Sequence, residues 1–83
     1  MIYLMTEKEF NEQPYGGNWM VSHNGKYDNL PQEVFILTGC RDSKGNTSTH
    51  PFVVIDNRTN DCLVEEFMTL IEAYLYATDQ EEK

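Results

Sequence analysis

The sequence predicts a small α+β domain: an antiparallel sheet of three to four strands packed on one C-terminal helix, with a short helical turn near the N-terminus. Three observations carry this reading. Two β-branched and aromatic runs, Val34-Phe35-Ile36-Leu37-Thr38 and Phe52-Val53-Val54-Ile55, are bounded by turn formers, as buried strands are. A Thr-x-x-Glu box at Thr69 to Glu72 opens the one sustained helical pattern. The chain's 83 residues suffice for a single domain, 1–83, with a modest core.

Taken in order, Ile2 to Met5 reads as a short strand. Thr6-Glu7-Lys8-Glu9 is a capping box for a helix of a turn or two, which Pro14 and Gly16-Gly17 stop. Trp19 to His23 reads as a strand and Asn24-Gly25 as a two-residue hairpin turn. Val34 to Thr38 suits a central strand. Gly39 to Pro51 is a polar loop, Phe52 to Ile55 the next strand, and Asp56 to Asp61 a turn dense in Asp and Asn. Cys62 to Phe67 returns as a strand. A longer helix from Cys62 onward, capped by Asp61, competes, because Val64, Phe67, Met68, Ile71 and Leu75 also follow helical spacing; the explicit box at Thr69 favours strand then helix. On that helix Leu70, Ile71, Tyr74 and Leu75 form the apolar stripe, and Glu72, Tyr76 and Asp79 face away from it.

Charge limits the partners. Fourteen Asp and Glu against six Lys and Arg give a net charge of −8, and eight of the carboxylates fall between Asp56 and Glu82, where Arg58 is the sole cation. Such a field repels nucleic acid and anionic membranes and attracts basic protein surfaces. No apolar run approaches the length of a membrane span, and the N-terminus lacks a secretory pattern, so a cytoplasmic protein is expected, in the host cytoplasm if viral. In that compartment Cys40 and Cys62 read as reduced, buried thiols.

No motif carries chemistry, so an enzyme is not expected. His23, Cys40, His50 and Cys62 supply zinc-ligand types, but at spacings of 17, 10 and 12 residues with no knuckle. A Cys–His nucleophile built from the same residues lacks an orienting third group. The Asp56 to Asp61 turn lacks the alternating acids of a calcium loop, and Gly16-Gly17 lacks the lysine of a phosphate loop. Neither metal nor cofactor is implied.

What remains is a surface. Glu65, Glu66, Glu72 and Asp79, with Tyr76 as an aromatic anchor, are the expected partner-binding residues. Helical carboxylates three or four positions apart lie roughly 5–6 Å from each other, close to the spacing of backbone phosphates. This pattern favours a small acidic inhibitor, phage-encoded, that blocks the basic nucleic-acid site of a defence or host enzyme by DNA mimicry. The alternative is a structural or adaptor subunit pairing through a sheet edge or an aromatic surface, its acid serving solubility.

Overall fold

The computed structural model describes residues 1–13, 30–42, 44–59 and 62–81. The strand expected over Trp19 to His23 and the hairpin at Asn24-Gly25 lie outside the described residues. Four strands and two helices run in the order β1 (Ile2–Thr6), α1 (Glu7–Asn11), β2 (Val34–Thr38), β3 (Phe52–Asp56), β4 (Leu63–Phe67) and α2 (Leu70–Glu81). They form the small α+β fold that the sequence predicts, as one sheet in the order β1-β2-β3-β4. Antiparallel pairing holds across β2, β3 and β4, whereas β1 pairs in parallel with β2, making the sheet mixed. A parallel neighbour needs a long crossover, and residues 7–33 supply it.

Both faces of the sheet are covered, where the sequence reading covers one. Every residue from Val34 to Leu37, and from Val53 to Ile55, is buried, which is why neither run alternates polar with apolar. On one face Phe10 of α1, Leu30, Phe35, Leu37, Val53, Ile55 and both cysteines form a core. Phe10 meets Phe35 edge-on at 5.7 Å. On the other face Val34, Ile36 and Val54 lie under Ala73 and Ala77 of α2.

The caps place the helices as expected. The Glu9 amide donates to the Thr6 hydroxyl (3.0 Å) and the Thr6 amide to the Glu9 carboxylate (2.9 Å). At α2 the Glu72 amide donates to the Thr69 hydroxyl (3.2 Å), and that hydroxyl donates to the Glu72 carboxylate (2.9 Å). The chain is therefore a strand through Phe67 and a helix only from Leu70, so the longer helix is not formed.

One buried amide ties the frame together. Asn57 donates through Nδ2 to the Leu30 carbonyl (3.0 Å) and the Pro31 carbonyl (3.2 Å), and its Oδ1 accepts from the Cys62 amide (3.2 Å). The Cys62 backbone is left-handed (φ 50), a conformation costly for a residue with a Cβ, and this bond helps to hold it. Beside it, Arg58 grips Asp56 with a two-pronged contact, Nε to Oδ1 and Nη2 to Oδ2, both 3.0 Å. That hydrogen-bonded guanidinium holds the Asp56 carboxyl below the usual carboxylate range, against the opposing effect of burial.

Candidate functional site

The side of α2 that meets the sheet is not the one its large apolar residues suggest. Ala73 and Ala77 are fully buried, and Tyr76 packs its ring 5.2 Å from Phe67. Two alanines one turn apart let the helix axis come close to Val34, Ile36 and Val54. At about 100° per residue, that docking turns Ile71 and Leu75 toward solvent and swings Leu70 and Tyr74 to the β1 flank. Ile71 is 72% exposed, Leu75 63% and Tyr74 54%. Leu4 of β1 is 61% exposed, and with Ile2, Ile36 and these helical residues it borders an apolar groove of about 510 Å3.

The expected acidic face is redistributed by the same docking. Glu72 and Asp79 are exposed, as expected, on the flank of α2 away from β1. Tyr76 is half-buried against Phe67, within the helix-side core, and is not the outward anchor of the sequence reading. Glu65 pairs with Val54 and Glu66 with Val53. Because side chains alternate, Glu65 projects to the α2 face and Glu66 to the α1 face. Both border a shallow polar hollow of about 310 Å3 with His50 and Val64. Of the five expected residues, Glu66 is thus the one set on the sheet face opposite α2.

Of the residues weighed for chemistry, the two cysteines belong to the packed interior. Cys40 and Cys62 are buried in the α1-side core. Burial pushes the Cys40 thiol far up, and the nearby Glu7 and Glu66 carboxylates add to the effect; burial alone raises Cys62. Both thiols stay protonated, the unreactive form. The His50 ring shares a hydrogen bond with the Thr49 hydroxyl (3.0 Å) on the exposed loop. His23 lies outside the described residues. Among the described residues no group of three or more His, Cys, Asp and Glu side chains gathers as a metal site, and no helix is long and apolar enough to cross a membrane.

The sequence reading took the Leu70, Ile71, Tyr74 and Leu75 stripe as the core side and so missed the groove. The signal for it was the Ala73–Ala77 pair at i, i+4, which marks a close helix–sheet contact. Compared with known proteins, the chain matches no family model, no curated relative and no solved structure. Geometry and charge are the grounds for a functional reading.

Proposed function

We propose that the protein is a non-catalytic interaction module that takes a basic partner protein onto the groove between α2 and β1. One observation carries the reading. Ile71, Tyr74 and Leu75 on α2 and Leu4 on β1 are each more than half exposed and border one continuous apolar depression. Scattered apolar side chains on a surface are common, but contiguous ones around a groove mark interaction sites. Covering them gains about 25 cal/mol per Å2 of apolar area.

Charge selects the occupant. The net charge is −8, and α2 carries Glu72, Asp79 and Glu81 with no cation. A second copy is repelled by that field and a basic surface is drawn to it, so the partner combines apolar anchors with Lys or Arg at the rim.

A random-peptide display selection on the folded protein tests the reading. Enriched sequences should combine aliphatic or aromatic residues with Lys and Arg, and should be lost on an Ile71→Ser/Leu75→Ser variant. Enrichment that survives this variant, or no enrichment at all, would refute the groove as the contact surface.

The acidic-inhibitor reading keeps one observation in its favour: Glu72 and Asp79 are both exposed on one flank of α2. Where the basic partner surface is a nucleic-acid groove, occupying it would block nucleic acid. That contact would weaken steeply with salt, whereas an apolar groove contact would not.

A further inference from the structure

We propose that the outer edge of β1 takes up an extended, basic segment of the partner as a fifth strand, with alternate apolar side chains of that segment seated in the α2–β1 groove. The proposal rests on the interaction-module reading and adds the partner's conformation and the backbone groups that receive it.

The backbone of β1 fixes which groups are available. The Val34 amide donates to the Met1 carbonyl (3.3 Å), so the peptide groups of Met1 face β2. Successive residues of a strand turn their N–H and C=O to opposite sides, so Tyr3 and Met5 face β2 while Ile2, Leu4 and Thr6 face outward. The Thr6 amide agrees, since it donates to the Glu9 carboxylate. Glu9 thereby closes one end of the edge, and the amide groups of Ile2 and Leu4 remain directed outward with no neighbouring strand among the described residues.

The composition of the edge is as telling as its geometry. Exposed edges are usually guarded by charge, proline or a bulge. β4, at the opposite edge, carries Glu65 and Glu66 at its centre. β1 reads Ile-Tyr-Leu-Met-Thr, with no charge and no proline, and pairs residue for residue with β2 from Ile2 to Thr6 without a bulge. The side chains of Ile2 and Leu4 project to the α2 face and border the groove. A strand added beside β1 would therefore send every second side chain toward Ile71 and Tyr74. In such strand addition the main-chain bonds supply affinity and the pocket for alternate side chains supplies specificity. Lys or Arg at the intervening positions would meet the acidic field. A second copy's β1 could offer the same backbone, but not the opposite charge.

The test uses the full chain, 15N-labelled, and a synthetic peptide of about nine residues alternating Val or Leu with Lys or Arg. Two further peptides carry N-methyl groups on every second amide, one in each parity, because N-methylation deletes the donor. The parent peptide should shift the Ile71 and Leu75 signals and slow hydrogen exchange at the Leu4 amide. One N-methyl parity should weaken binding roughly tenfold or more, and the other should bind nearly as well as the parent. Equal behaviour of the two parities would overturn strand addition. So would Leu4 protection that appears without peptide as the protein dimerises. A peptide of the same composition rearranged to helical spacing separates the two levels of the argument. If it fills the groove while the Leu4 amide is unaffected, strand addition fails and the interaction module stands. If neither arrangement perturbs the groove, both fail.

Discussion

The two edges of the sheet are built to opposite rules. At one end β4 places Glu65 and Glu66 side by side in the middle of the strand, one toward each face, so that no approaching chain meets an uncharged edge. At the other end β1 is apolar and uncharged, and beside it α2 presents Ile71, Tyr74 and Leu75 to solvent. The helix sets this asymmetry: Tyr76 leans on Phe67 of β4 and closes that side, while the β1 side stays open over the groove. Acid thus marks one edge, and the other strand carries none among the described residues. The carboxylates that read as one face in the sequence are mounted on different elements, Glu65 and Glu66 on β4 and Glu72 and Asp79 on α2.

Both edges hang on a shared frame, and the largest expected effect is on that frame. Asn57→Ala would leave the Leu30 carbonyl and the Cys62 amide without their buried partner. Chemical denaturation should record a loss of roughly 2–4 kcal/mol. A loss below about 0.5 kcal/mol would mean that Asn57 is not the tie described.

Next in size is the start of α2, whose docking opens the groove. Thr69→Ala removes the hydroxyl that caps the Glu72 amide and should cost about 1 kcal/mol with the fold retained. Loss of the fold would mean that this one cap, rather than Ala73 and Ala77, holds the helix to the sheet.

The sharpest contrast with a core position comes from the groove itself. Ile71→Ser with Leu75→Ser should change monomer stability by no more than about 0.5 kcal/mol, because both side chains are already in water. Serine at two positions of a true core stripe would cost several times more. A large loss in thermal or denaturant unfolding would mean that Ile71 and Leu75 pack in the core.

Titration probes the buried ionisable groups by sign. The folded thiols of Cys40 and Cys62 have raised pKa values, so their contribution is intact below the ordinary thiol pKa. It is lost as pH climbs above that value, because the unfolded thiols ionise first. Asp56 works in reverse: its pKa is lowered by Arg58, so its contribution is present above the ordinary carboxylate range and is lost as pH falls through the depressed value. Stability measured against pH should fall at both ends, and Asp56→Asn should flatten only the acid limb.

Much of the frame was legible in the sequence because local signals and tertiary packing agreed. The capping box at Thr6, the Thr69 cap on the Glu72 amide and the two central strands stand where their residues imply. The parallel pairing of β1 was not legible, since Ile2 to Met5 states no partner and the crossover through residues 7–33 decides it. The orientation of α2 was misread for a physical reason. Large side chains were assigned to the core by size, but a helix docks where its surface fits, and Ala73 with Ala77 fits closest. Once that face is fixed, Tyr76 turns inward and the stripe of larger residues turns out.

The most direct test of the account sets the groove against the acid in a single binding measurement. Peptides selected on the parent protein would be titrated against two double variants, Ile71→Ser/Leu75→Ser and Glu72→Lys/Asp79→Lys, at low and at high salt. The account predicts that the first variant loses roughly tenfold or more at both salts, since apolar contacts are lost outright. The second should lose only a few-fold, and only at low salt, since exposed charges are screened. The opposite pattern, with charge reversal abolishing binding and the groove variant binding like the parent, would contradict the account and return the acidic flank to the role of contact surface.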